Sequence, residues 1–190
     1  KAISMDPKNY DRLIEIYGAL ADYGYREVGQ EYLQNVLNTD KKLDAYDSGR
    51  IYYYLGDYQK AYLALEEAKG KGGVDSYLYL GKAYAATGDY NYASSVYSNY
   101  LSKQGPDAEI YNQLGLCELA KKDYQKALEA FQAGKQIEGN SLMQTLSFNE
   151  IVAYEYLQDY QKAAVLLKAY LQNYPDDQAA IREQQFLSTR

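Results

Sequence analysis

Apolar and small side chains recur at i, i+3, i+4 and i+7 along most of this chain, the spacing that lines them up on one stripe of an α-helix. The stripe is clear at Tyr77, Leu80, Gly81 and Tyr84. It returns at Leu13, Ile16, Tyr17 and Leu20, and at Ala45, Ser48, Gly49 and Tyr52. Tyr111, Leu114 and Gly115 repeat it with Glu118 in place of the aromatic, and Ser147, Glu150, Ile151 and Tyr154 form the loosest copy. A short turn follows each stripe, marked by Gly24, Gly56 or Gly88, or by Lys122 or Gln158 where glycine is missing.

A second helical stretch then begins, and it begins the same way each time. Asp-Tyr-Gln-Lys-Ala is spelled identically at Asp57–Ala61, Asp123–Ala127 and Asp159–Ala163, with a near copy at Asp89–Ala93. The four aspartates lie 32, 34 and 36 positions apart. A fixed period of about 34 residues is the signature of a repeat array. Each alanine is followed one turn later by a large residue: Ala61 by Leu65, Ala93 by Tyr97, Ala127 by Phe131 and Ala163 by Leu167. Such small–large pairs suit close crossing of antiparallel helices. In the first copy the matching pair is read as Val28 with Tyr32, with Gly24-Tyr25 having lost the aspartate between them.

Turn-rich linkers at Asn38–Asp40, Gly70–Gly73, Gly105-Pro106 and Glu138–Ser141 fall where repeats must end. The opening Lys1–Pro7 has the form of a helix end and turn, as do Ser102–Asp107 and Leu171–Asp176. It is therefore expected to be the tail of an upstream repeat in a longer protein. The final stretch, with Ala180, Ile181 and Leu187 on one side, has the form of a capping helix.

Leu80-Gly81, Tyr84, Gly88, Ala93, Tyr97 and a late proline resemble the tetratricopeptide repeat. The resemblance implies an all-α, right-handed superhelix of about five helix pairs. Its units would span 10–41, 42–73, 74–107, 108–143 and 144–176, with the upstream tail over 1–9 and the cap over 177–190. It further implies that first helices line a concave groove. Laid on this sequence, the groove residues are Tyr46, Asp47, Arg50, Tyr53 and Tyr54, then Tyr79 and Lys82, Asn112 and Gln113, and Phe148, Asn149 and Tyr156. Some members hold acidic C-terminal tails in a clamp of Lys, Asn and Arg. Here the matching positions hold Tyr46, Arg50, Tyr79 and Gln113, which disfavours that activity.

Composition narrows the function. There are 25 tyrosines, one cysteine, no histidine and no tryptophan. Without histidine the chain lacks the commonest general acid–base and metal ligand. Cys117 has no activating base and reads as an inert thiol. Gly81-Lys82 is preceded at phosphate-loop distance by Ser76 and followed by Ala83, so it does not fit that motif. Adjacent acids such as Glu66-Glu67 and Asp176-Asp177 point apart on a helix and do not form a facing pair. No enzyme activity, metal or cofactor is expected. The net charge of −6, with no basic run longer than Lys121-Lys122, argues against nucleic acid, and no apolar run is long enough to span a membrane.

Eight tyrosines are explained by packing at two repeat positions: Tyr25, Tyr58, Tyr90, Tyr124 and Tyr160 at one, Tyr52, Tyr84 and Tyr154 at the other. Tyr46, Tyr53, Tyr54, Tyr79 and Tyr156 are not. With Arg50, Lys82, Asn112 and Asn149 beside them they have the composition of a recognition surface. The expected function is a protein–protein interaction module, a scaffold or adaptor holding a peptide or partner helix. A saccharide or small-ligand receptor is the alternative, since tyrosines with amide side chains also suit sugar stacking. The covered chain carries no signal peptide, so the cytoplasm is the default compartment. The alternative is an extracytoplasmic location, anchored through upstream sequence.

Overall fold

The computed structural model describes residues 9–71 and 73–190. The expected upstream tail in residues 1–8, and Gly72 of the Gly70–Gly73 turn, lie outside the described residues. Among the described residues there are eleven α-helices and no strand. The chain forms two compact units, Lys1–Gly88 and Asp89–Arg190.

In the N-terminal unit, α1 (Tyr10–Asp22), α2 (Arg26–Thr39), α3 (Ala45–Leu55), α4 (Tyr58–Glu67) and α5 (Gly73–Ala86) each pack on the next. The helix α3 also touches both α1 and α5. The C-terminal unit runs α6 (Tyr90–Gln104), α7 (Ala108–Ala120), α8 (Tyr124–Lys135), α9 (Met143–Tyr156), α10 (Tyr160–Asn173) and α11 (Gln178–Leu187), again each on the next.

The repeated phrase is a helix start. Asp57, Asp89, Asp123 and Asp159 are N-caps whose carboxylates accept from the backbone N–H three residues on, at 3.2, 3.2, 3.3 and 3.0 Å. Each cap satisfies a donor the helix cannot, worth about 1 kcal/mol. The phrase's lysines lie outward: Lys60 and Lys126 reach back to the cap aspartates at 2.6 and 2.7 Å. Its alanines, Ala61, Ala93, Ala127 and Ala163, are fully buried, as are Leu65, Tyr97 and Phe131 one turn on, with Leu167 at 1%. First-helix glycines let these large residues in. A Cβ on Gly49 would sit 2.6 Å from Leu65, and one on Gly115 would sit 2.3 Å from the Phe131 ring.

The turns preceding the caps share one geometry. Gly24, Gly56 and Gly88 have φ of 82°, 82° and 83°, and Lys122 and Gln158 hold the same left-handed region at 64° and 63°. The next residue's N–H then bonds the carbonyl five positions back: Tyr25 to Leu20, Asp57 to Tyr52, Asp123 to Glu118 and Asp159 to Tyr154.

That bond corrects the reading of the first repeat. Nothing is deleted between Gly24 and Tyr25; Tyr25 itself occupies the cap position that aspartate holds elsewhere, with no side-chain cap bond and 60% exposure. The tyrosine expected to pack therefore lies in solvent. The buried small–large pair is Gly29 with Leu33, one residue later than Val28 with Tyr32, which are 43% and 46% exposed. The physical reason is an exchange of volume. Tyr17 stands where the other first helices have glycine or another smaller residue, and its ring fills the space above Gly29, where a Cβ would come within 2.8 Å. The partner position gave up its methyl to make room for the ring.

Candidate interaction surface

In the N-terminal unit, five of the expected surface residues come together around a sixth, Arg50, which is 7% exposed. Its Nη1 lies 2.6 Å from Asp11 on α1 and 3.4 Å from Asp47 one turn earlier on α3. The guanidinium carbon sits 4.9 Å from the Tyr46 ring centre and 5.4 Å from that of Tyr79 on α5. Aromatic edges continue the cluster: Tyr53 meets Tyr54 and Tyr79 at 5.5 and 5.7 Å, and Tyr54 meets Tyr17 at 5.4 Å. The hydroxyls of Tyr54 and Tyr79 are hydrogen-bonded at 3.0 Å. Three helices of the N-terminal unit, α1, α3 and α5, thus contribute to a single surface. Lys82 lies half-buried on α5, one turn after Tyr79.

The electrostatics follow from burial. Burial, opposed by Arg50, pushes the Tyr46 phenol up to about 12. Burial also raises Tyr54, with its bond to Tyr79 adding to the effect. These rings are neutral donors at physiological pH. Asp47 is raised by burial and by the nearby charges of Asp44 and Asp11, against the pull of Arg50. Burial works against the Arg50 charge, yet the Asp11 bond and the neighbouring phenols leave its pKa raised. Beside the cluster is a cavity of about 560 Å³ lined by Asn9, Tyr10, Asp11, Tyr46, Asp47, Arg50 and Asp75. It holds three carboxylates against one guanidinium, whose Nη1 is engaged by Asp11 and Asp47 while its Nε is buried without a hydrogen-bond partner.

The expected residues of the C-terminal unit are spent on internal contacts. Asn112, 5% exposed, accepts from the Asn149 amide at 2.8 Å. Gln113 donates to Glu109 at 2.9 Å. Phe148 packs on the core against Tyr170, ring centres 5.7 Å apart. Tyr156 stacks on Tyr124 at 4.8 Å while remaining 54% exposed. Sequence reasoning passed over Asp11, Tyr10 and Asp75, which carry much of the cavity's chemistry. It also passed over the buried carboxylates Glu118 and Glu150, held by Lys121 at 2.9 Å and Lys135 at 2.6 Å. An acid inside an apolar stripe was the available signal for both, since a buried carboxylate needs a partner. Cys117 is buried and its thiol is pushed up to about 12, mainly by burial and then by Glu118. Among the described residues no helix is long and apolar enough to cross a membrane.

Family models for the tetratricopeptide repeat match residues 78–141 and 148–177. No protein of curated function matches the sequence. Among solved structures, a thermophilic TPR protein of Thermus thermophilus is similar at a TM-score of 0.71 and 15% identity, covering 95% of this chain and 100% of that one. YrrB, described as a TPR protein with an unusual peptide-binding site, is similar at 0.64 and 20%, covering 97% and 96%. The second TPR domain of human RPAP3, in complex with the HSP70 peptide SGPTIEEVD, is similar at 0.52 and 16%, covering 58% and 90%. The fold is accordingly the all-α superhelical repeat fold.

Proposed function

We propose that this chain, which is a tetratricopeptide-repeat protein, is a non-enzymatic interaction module whose N-terminal unit holds a peptide segment or partner helix on the surface around Arg50. The observation that carries this reading is the cluster of Tyr46, Arg50, Tyr53, Tyr54 and Tyr79, assembled from separate helices. Tyrosine and arginine are the residue types that dominate interface energetics. Two solved structures with this fold bear on the choice of partner: YrrB has a peptide-binding site, and the RPAP3 domain holds a peptide ending Glu-Glu-Val-Asp.

The charge balance supports a basic partner over an acidic one. Arg50 is already bonded to Asp11 and Asp47, so a ligand carboxylate would have to displace them while facing Asp75. A lysine or arginine side chain instead meets an excess of carboxylate. The Tyr54–Tyr79 bond takes up one of the two phenolic protons, which leaves fewer donors for a saccharide and favours a peptide.

A random peptide library selected on the immobilised chain tests this. Enriched peptides are expected to carry lysine or arginine and to lose about tenfold or more in affinity for a Tyr46→Ala, Asp75→Lys double variant with unchanged helical content. No enrichment, or enriched peptides that bind parent and variant alike, would refute the surface. Enrichment of acidic peptides would refute the charge argument alone.

A further inference from the structure

The C-terminal unit carries a second cavity, remote in sequence from the Arg50 cluster, whose chemistry nothing above has used. It measures about 510 Å³ and is lined by Val152, Glu155 and Tyr156 of α9, Tyr160 of α10, and Glu183 and Phe186 of α11. Tyr160 and Phe186 meet edge to face at 6.5 Å and form an aromatic wall. The carboxyls of Glu155 and Glu183 face each other across the α9–α11 junction. Neither is ion-paired to a lysine or arginine among the described residues. The inner oxygen of Glu155, Oε1, is buried with no hydrogen-bond partner.

Two carboxyls brought together without a base are costly, and such an arrangement is relieved by a cation that bridges them. A bare metal ion suits the aromatic wall poorly. A flat organic cation suits both parts: rings attract its face while carboxylates accept from its edge. The chain shows the stacking half of this with its own atoms. The Arg190 guanidinium carbon stands 4.7 Å from the Phe186 ring centre and 5.7 Å from that of Tyr160.

We propose that this cavity is a binding site for the guanidinium of a partner protein's arginine, stacked on Tyr160 and Phe186 and forked between Glu155 and Glu183. Lysine fits less well, because its compact ammonium cannot both stack and fork. The titratable groups lining the cavity beside the pair are Tyr156 on α9 and Tyr160 on α10, while Arg190, beyond α11, lies over the aromatic wall. Burial, and then the Glu183 charge, push the Glu155 carboxyl up to about 8. At neutral pH the Glu155 carboxyl therefore keeps its proton. A guanidinium arriving between the two carboxyls drives that proton off to solvent, so binding releases a proton and strengthens as pH rises toward 8.

The test uses the whole chain, ¹⁵N-labelled, titrated with the capped tripeptide acetyl-Ala-Arg-Ala-amide and with its lysine and citrulline counterparts. It is run on the parent and on Arg190→Gln, so that occupation of the wall by the chain's own arginine cannot hide the site. The arginine peptide is expected to give saturable amide shifts confined to residues around Glu155, Glu183 and Phe186. Its affinity should rise several-fold, up to roughly tenfold, per pH unit between 6 and 8. The neutral citrulline peptide should not bind, and Glu155→Gln should weaken arginine binding by about tenfold or more and abolish the pH dependence. Absence of shifts in both the parent and Arg190→Gln overturns the site. Equal binding of the lysine peptide overturns the guanidinium assignment, and an unchanged pH slope in Glu155→Gln overturns the release of the Glu155 proton.

Discussion

Two glycines of the N-terminal unit should respond to the same substitution with opposite signs. Gly18 lies within α1, and a Cβ built there has nothing within 4 Å. Gly18→Ala changes only helix propensity and should stabilise by about 1 kcal/mol. Gly49 lies within α3 beneath α4, and its Cβ would meet Leu65 Cγ at 2.6 Å, Leu65 Cδ2 at 3.0 Å and the Ala61 carbonyl oxygen at 3.2 Å. Leu65 is fully buried and the oxygen is backbone, so the collision cannot be relieved by swinging out a flexible tip. Overpacking of this kind costs about 1–3 kcal/mol, and a contact this short belongs at the upper end. Subtracting the propensity gain of about 1 leaves Gly49→Ala destabilised by about 2 kcal/mol. Thermal melts followed by circular dichroism would read this as a midpoint about 6 °C below the parent, with Gly18→Ala about 3 °C above it. In a Leu65→Ala background the added methyl has room, so Gly49→Ala should turn neutral or stabilising, a coupling of about 2–3 kcal/mol. A parent-like melt for Gly49→Ala, or an equal penalty in the Leu65→Ala background, would show that the two helices do not cross at this point.

The left-handed turns give a second prediction. Lys122 and Gln158 occupy φ near 64° and 63°, where a Cβ is strained, so Lys122→Gly and Gln158→Gly should each raise stability by about 0.5–1 kcal/mol despite glycine's cost to helices. An unchanged or lower urea midpoint for both would remove the strain argument. The third concerns pH. The Glu155 carboxyl is raised from 4.5 to about 8 in the folded chain, so the fold retains a proton that the unfolded chain has released. Its favourable contribution is complete below pH about 4.5 and is lost as pH climbs from there through about 8. Melting temperatures of the parent should fall across that window, and those of Glu155→Gln should fall less; parallel curves would place the pH dependence elsewhere.

Most of the helical order was legible in the sequence because the repeat reports it several times over. One copy of Asp-Tyr-Gln-Lys-Ala is an ambiguous string; three copies at a near-constant period identify the start of a second helix, a packing ring and a small side chain paired with a large one a turn later. The same redundancy identified Lys122 and Gln158 as turn residues without glycine. It failed in the first repeat because two changes compensate there. Tyr25 at the cap mimics the tyrosine that follows the cap elsewhere, which invites a one-residue shift. The Tyr17–Gly29 exchange then removes the alanine that would have exposed the error. Pattern matching scores each position against its own column, whereas packing conserves the summed volume of two columns.

The surface was less legible than the fold for a related reason. Helical spacing alone could bring Tyr46, Arg50, Tyr53 and Tyr54 to one region of α3, because they are neighbours on a single helix. It could not show that Arg50 is committed. Its closest carboxylate, Asp11, is 39 positions away on another helix and is itself an unremarkable surface acid in the sequence. Read alone, Arg50 is a cation available to an acidic ligand; paired with Asp11 and Asp47, it becomes a fixed strut between tyrosine rings, and the surplus of carboxylate around it sets the sign of the surface. The preferred charge of a partner thus depends on a contact between helices rather than on the residues that touch the partner. By the same logic Asp11→Asn should loosen the strut and move selected peptides toward acidic sequences, although no residue at the centre of the cluster has changed.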